Sequence, residues 1–141
     1  MKKLLNMSEQ LTLHRTIEYV REFHGAFRLP IRQQPSAELE EKEYMLRYHL
    51  MKEENEEYLE AVKNGDLVEV ADALGDMLYI LCGTIIAHGM QDKIGEVFEE
   101  IQRSNMSKLD QNGDPIYRED GKVMKSDRYF RPDVAAVLGL R

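Results

Sequence analysis

Six acidic residues decide what chemistry this chain can do. Glu53, Glu54 and Glu57 fall in one helical run, and Glu69, Asp72 and Asp76, spaced by three and then four residues, fall in the next. A helix turns ~100° per residue, so Glu53 and Glu57 lie roughly 40° apart and Glu54 lies within about 60° of Glu57. Glu69, Asp72 and Asp76 share a face that Tyr79 and Gly83 extend. Both sets continue apolar stripes instead of opposing them. Leu39, Leu46 and Leu50 lead to Glu53 and Glu57, while Leu67, Val68, Val70, Leu74, Met77, Leu78, Ile80 and Leu81 surround the second set. A helix this apolar is predicted to be buried on most sides, with its acids facing inward. Carboxylates gathered in a dry space cannot all stay ionised unless cations join them. Magnesium takes oxygen ligands and keeps positions open for water and phosphate, and manganese suits the same donors. The bland alternative is a solvated acidic face, which is the reading given to Glu56 and Glu60.

Two other metal chemistries fail on spacing. A di-iron bundle needs Glu three residues before His, but Leu11, Arg21, Leu46 and Ile85 precede His14, His24, His49 and His88 at that distance. These histidines therefore read as core-edge or surface residues. Asp110-Gln-Asn112-Gly-Asp114 begins like a calcium loop, but its sixth and twelfth positions are Pro115 and Gly121, where Gly and Glu are required.

The elements that must position the acids are helices. A first is predicted from Ser8, as N-cap, to Phe27, with Leu11, Ile17, Val20, Phe23 and Phe27 as its apolar stripe. A second runs from Ser36 to Lys63 and stops at Asn64-Gly65. A third starts at Asp66, with Glu69 as capping-box partner, and ends at His88-Gly89. A fourth spans 92–109. Beyond it lies an irregular tail over 110–141, with a possible short hairpin pairing Ile116-Tyr117-Arg118 with Lys122-Val123-Met124 and a last helical turn from Val134 to Leu138. The expectation is one all-α domain, 1–141: an antiparallel bundle of four main helices, helical over about 8–109.

Composition narrows the partners. A net charge of −7 excludes a uniformly basic surface for duplex nucleic acid. The longest uncharged stretch, Met77 to Gln91, falls short of a membrane span, and Met-Lys-Lys-Leu-Leu at the start is too short for a signal-peptide core. Cys82 is the only cysteine and reads as a small core residue in a cytoplasmic protein.

The acid motifs, Glu53-Glu54-x-x-Glu57 and Glu69-Val-Ala-Asp72-Ala-Leu-Gly-Asp76-Met-Leu-Tyr79, resemble the all-α nucleoside triphosphate pyrophosphohydrolase superfamily. Its members include the MazG proteins, dimeric dUTPases and phosphoribosyl-ATP pyrophosphohydrolase. Their shared pattern is an EExxE helix followed by an ExxD helix. Val97 to Lys108, with its Arg103-Ser104-Asn105-Met-Ser107-Lys108 end, resembles the substrate-binding segment of MazG-like members. Spacing places ExxD at Glu69 and Asp72. The Asp-Met-Leu-Tyr context places its Asp at Asp76, with Asp72 standing in for a Glu that is Ala73 here. The favoured ligands are Glu53, Glu54, Glu57, Asp72 and Asp76, with Glu69 behind them. The resemblance implies magnesium-dependent attack of water at the α-phosphorus, release of pyrophosphate, a housecleaning role in the nucleotide pool, and a homodimer or homotetramer. Glu54, or Glu53 beside it, would serve as general base.

Candidate substrate contacts lie further along the chain. On the fourth helix Ile94, Phe98 and Ile101 form a stripe whose next member is Asn105, an amide able to read a base or sugar. Lys108, Lys122 and Lys125 are candidate phosphate contacts, Arg103 belongs to the same segment, and Tyr79 or Tyr117 could stack on a base. The alternatives are a nucleotide-sensing module and a structural helical oligomer, both without turnover.

Overall fold

The computed structural model describes residues 10–141. The fold is all-α, and the described residues form five helices: α1 (Leu13–Ala26), α2 (Glu41–Lys63), α3 (Leu67–Ala87), α4 (Ile94–Met106) and the single turn α5 (Val134–Val137). It forms two compact units, Met1–Gln91 and Asp92–Arg141. No strand occurs among the described residues. The expected hairpin is reduced to one antiparallel bridge, Tyr117 with Val123.

In the first unit α2 packs along α3, and α1 joins α3. Thr12 caps α1 by accepting from the Arg15 N–H at 3.1 Å, whereas the expected cap, Ser8, lies outside the described residues. The helix ends with Arg28 in the left-handed region at φ 57, a place glycine usually takes. Ile17 and Val20 are buried as expected, but Phe23, Phe27 and Leu11 are exposed, and His24, 2% exposed, takes the next inward position. The ring is tolerated there because its Nδ1 donates to Pro30 O at 3.0 Å.

The second helix begins at Glu41 rather than Ser36. Residues 28–40 serve instead as a strap over the end of α3. Arg32 N–H donates to Ile86 O, Ser36 N–H donates to His88 O, Arg32 Nη1 donates to Ala87 O, and His88 Nδ1 donates to Ser36 O. The first three of these bonds satisfy carbonyls that every helix C-terminus leaves unpaired, and the fourth ties the His88 ring to the strap. Arg32 also grips Glu43 with both terminal nitrogens, at 2.6 and 2.8 Å, and so fixes the start of α2.

The inward face of α2 differs from the predicted stripe. Leu46 and Glu53 are exposed, while Arg47, Leu50 and Glu54 are half-buried and Ala61 is buried. Arg47 carries the packing: Nη2 donates to Ile80 O and Nε to Thr84 Oγ1, each at 3.1 Å. A charged side chain can occupy this face because the α3 backbone receives its protons. Gly83 makes the approach possible, since a Cβ there would stand 2.7 Å from Arg47 Nη2 and 2.8 Å from His24 Nε2.

Asp66 caps α3 by accepting from the Glu69 N–H at 3.1 Å. The reciprocal half of the expected capping box is absent, because the Asp66 N–H donates to Ala61 O instead. Nor is α3 buried on most sides. Its C-terminal half holds Cys82, Gly83, Ile85, Ile86 and Ala87 in the core. In the N-terminal half only Ala73 is buried, and Leu67 and Val68 are 79% and 75% exposed. By length and apolarity alone α3 is one helix able to cross a membrane.

In the second unit α4 also runs shorter than expected. It buries Val97 and Ser104, while Phe98 is 65% exposed, so the Ile94–Phe98–Ile101 stripe does not mark its buried face.

Gly89 closes α3 at φ +69, and a Cβ there would overlap the Gln34 backbone carbonyl of the strap. Gly65 has a similar φ of +63 but open surroundings. Left-handed strain costs about 1–3 kcal/mol for a non-glycine residue. Gly89→Ala should therefore lower Tm by about 3–9 °C, and clearly more than Gly65→Ala, with calorimetry of both variants as the check.

Candidate active site

Antiparallel packing of α2 on α3 sets which acids meet. Arg47 lies against Ile80, Gly83 and Thr84. Seven residues, or about two turns, onward along α2 is Glu54, and seven residues back along α3 from Gly83 is Asp76. The same register therefore brings Glu54 to Asp76, with Glu57 and Asp72 nearby.

The electrostatics agree. Glu54 is half-buried, and its carboxyl is pushed up to about 7, first by burial, then by the adjacent Glu57 carboxyl, and then by the negative charges of Asp76 and Asp72. The Glu57 carboxyl stands beside that of Glu54. Two carboxylates offer each other only acceptor oxygens, and Glu54 Oε2 is a buried atom with no hydrogen-bond partner among the described residues. Neither Glu53 nor Glu69 is among the charges that shift Glu54.

The acids do not face a closed interior. Glu53, Glu57, Glu69, Asp72 and Asp76 are exposed, because this half of the α2–α3 pair is left open. No group of three or more acid, histidine or cysteine side chains stands ready to hold a metal among the described residues. The donor chemistry nevertheless fits a hard divalent cation. It consists of carboxylate oxygens only, on exposed side chains that can swing, around one buried oxygen that lacks a positive partner. Glu54, Glu57, Asp72 and Asp76 are the residues that would hold it. His14 and His49 are exposed, and His24 and His88 spend their Nδ1 atoms on backbone carbonyls, which leaves the cluster all-oxygen.

Tyr79, also in the first unit, packs edge-on against Phe23 with ring centroids 5.5 Å apart. The remaining sequence candidates belong to the second unit. Asn105 and Lys108 line a groove of about 290 Å³ with Met106, Leu109, Pro115 and Val123. Arg103 is engaged by Glu100 at 3.1 Å and lies over the Phe130 ring. Lys122 and Tyr117 are exposed, and Lys125 sits over Tyr129. The calcium-like loop is closed on itself: Asp110 Oδ1 accepts from the N–H groups of Asn112 and Asp114.

Sequence reasoning missed the hydroxyl network of Ser104, Ser107 and Ser126. Ser104 Oγ donates to Phe130 O, and Ser107 Oγ accepts from the Phe130 N–H. Serines scattered over a helix end and a tail leave no periodic signal.

A family model described as phosphoribosyl-ATP pyrophosphohydrolase matches residues 20–105. That span covers α2, α3 and nearly all of α4, and so includes all six acids and Asn105. No curated protein matches the chain.

The Glu54 shift sets a sign for stability. Its folded-state pKa is raised above the ordinary 4.5, so the folded form holds this proton more tightly than the unfolded form. The resulting stabilisation is full below about 4.5 and is lost as pH rises through about 7. Glu54→Gln removes the titrating group. Without divalent ions, the variant should gain Tm relative to the parent chain between pH 5 and pH 8, on the order of a few degrees. A difference that stays flat across that range contradicts the crowding of charge around Glu54.

Proposed function

The chain belongs to the phosphoribosyl-ATP pyrophosphohydrolase family, and from that premise we propose that it hydrolyses a nucleoside triphosphate to the monophosphate and pyrophosphate with magnesium, or manganese in its place. Membership gives the coarse chemistry, hydrolysis of a phosphoric anhydride bond in a nucleotide. The observation that carries the finer reading is the convergence of Glu57, Asp76 and Asp72 on Glu54, whose buried oxygen has no partner among the described residues.

In this mechanism Glu57, Asp72 and Asp76, with Glu54 beside them, would hold the cation, and Glu69 and Glu53 stand at the margin of the set. The cation, when bound, offsets phosphate charge and stabilises the charge that develops during transfer. Glu54 accepts a proton from water as the water oxygen bonds to the α-phosphorus. The bond from that phosphorus to the bridging oxygen breaks, and pyrophosphate leaves with the electron pair. A cation among these acids would offset the charges that push Glu54 up and leave its carboxylate ionised, able to accept the proton. Glu53 is the second candidate for the base. Within the second unit, the residues proposed for substrate contact are Asn105 for a base or sugar and Lys108, Lys122 and Lys125 for phosphate, with Arg103 bracing the segment that carries Asn105. Tyr79 offers an aromatic edge on the side of the acids.

The proposal places the enzyme in the cytoplasm, acting on the nucleotide pool as a homodimer or homotetramer, with neither duplex nucleic acid nor a membrane as partner. The exposed Leu67, Val68, Leu74, Leu78 and Leu81 of α3 support self-association, since a second copy would remove them from water.

The test is a screen of canonical and modified nucleotides, phosphoribosyl-ATP included, for pyrophosphate released with Mg²⁺ or Mn²⁺. Metal-dependent release is expected, and Glu54→Gln should lower kcat by about 10²–10⁴-fold, with a comparable loss for Asp76→Asn. If no nucleotide yields pyrophosphate, or if turnover survives both substitutions, a binding module or helical scaffold becomes the better description.

A further inference from the structure

Beside the acids, the contact between α2 and α3 is built from small residues. There α2 buries Ala61, and the N-terminal half of α3 buries Ala73. Helices lock together when the ridges of one fill the grooves of the other, and alanine makes a shallow ridge. Such a contact brings the helices close without deciding which residue of one meets which residue of the other.

The directional bonds lie towards the other end of the pair. Arg32 joins Glu43 to the Ala87 carbonyl. One turn along α2, Arg47 donates from Nε to Thr84 Oγ1 and from Nη2 to Ile80 O. The Thr84 hydroxyl gives its own proton to Ile80 O at 2.9 Å, which leaves its lone pairs for Arg47. A grip at Glu43 alone holds one point of α2. A planar guanidinium bonded through two nitrogens, one turn further on, fixes rotation about the helix axis as well as translation along it. Glu43, Arg47 and Glu54 are four and then seven residues apart, and so share one face of α2 within about 40°. The face that Arg47 turns towards α3 is therefore the face that carries Glu54.

We propose that Arg47 is a positioning residue for hydrolysis, holding α2 in the register that sets Glu54 against Asp76. The inference rests on the reading of the chain as a nucleotide pyrophosphohydrolase, and it concerns residues of the first unit alone. Arg47 lies about 10 Å from Glu54 along the helix, so it acts through the carboxylates rather than on the phosphates. A carboxylate that must take a proton from water in line with phosphorus tolerates little displacement, and a misplacement of about 1 Å can cost about 10²-fold in rate. The same displacement would spread the oxygens that Glu54, Glu57, Asp72 and Asp76 offer to a cation.

The experiment compares Arg47→Met, Arg47→Lys, Thr84→Val and Ile86→Val with the parent chain, well below the lowest Tm of the set. It measures kcat and KM with Mg²⁺ on whichever nucleotide the parent cleaves best, and Mn²⁺ binding to the nucleotide-free proteins by electron paramagnetic resonance. Arg47→Met keeps an apolar stem and removes the donors. It should lower kcat about 10–10²-fold, leave KM within about threefold and weaken Mn²⁺ binding about tenfold. Thr84→Val removes one acceptor at nearly constant shape and should move kcat and Mn²⁺ binding the same way, by less. Arg47→Lys restores a donor without the planar fork and should recover part of the loss. Ile86→Val trims a fully buried side chain outside the Arg47 contact; it should lower Tm and leave kcat and Mn²⁺ binding at parental values. A merely structural Arg47 would behave as Ile86 does. The proposal is overturned if Arg47→Met and Thr84→Val both keep parental kcat and Mn²⁺ binding, or if Ile86→Val loses as much as they do. Should Arg47→Met fail to fold, Thr84→Val decides alone. A parent that cleaves no nucleotide overturns the pyrophosphohydrolase reading, and the part of Arg47 in the reaction falls with it. An active parent with insensitive variants overturns this proposal only.

Discussion

The first unit depends on a polar junction where three helices meet at Gly83. Arg47 from α2 and His24 from α1 both reach the place a side chain would fill, and Arg47 spends its protons on Ile80 O and the Thr84 hydroxyl. Burial pulls the guanidinium below its ordinary range while Glu43 opposes the shift, so the cation stays useful only because acceptors surround it. Apolar side chains tolerate small slips along a helix, but a guanidinium bonded to a carbonyl and a hydroxyl does not. The junction therefore sets the register, and two turns away that register puts Glu54 against Asp76. An error of one residue at Arg47 would turn Glu54 away from the acids of α3.

Charge is distributed in keeping with nucleotide chemistry. Acids crowd around Glu54 in one unit, and in the other Lys108, Lys122 and Lys125 have no carboxylate partner among the described residues. Arg103, Arg118 and Arg141, by contrast, are committed to acids. A chain of net charge −7 repels a triphosphate at long range. Affinity for one must come from local cations, metal or lysine, placed where the phosphates lie.

The helices were legible because their stops and caps are written in short-range chemistry. Asp66 caps α3, Gly65 and Gly89 take left-handed turns, and the boundaries near them agree with expectation. The face assignments failed where polar groups enter the core. His24 replaces Phe23, Arg47 replaces Leu46 and Ser104 replaces the Phe98 stripe, in each case because a backbone partner satisfies the buried polar atom. Hydrophobic periodicity cannot register such a residue, since its partner lies far away in sequence. The start of α2 was misplaced for a similar reason: Ser36 has good capping chemistry, but its backbone is taken by His88, more than fifty residues away. Of the six acids, Glu57, Asp72 and Asp76 act on Glu54, while Glu53 and Glu69 do not. Their openness was not legible, because apolar neighbours in a sequence do not say whether a cover is supplied by the same chain.

The uneven packing of α3 has a mechanical consequence. Its C-terminal half is locked by the strap and the Gly83 junction, while the half bearing Asp72 and Asp76 has a single buried residue, Ala73. One continuous helix thus joins a firmly anchored end to a loosely held one, and the free energy of local opening falls along its length. Whatever occupies the carboxylates tightens the soft end against a rigid fulcrum, so occupancy would be felt as stiffness spreading back along the helix rather than as movement of the fold.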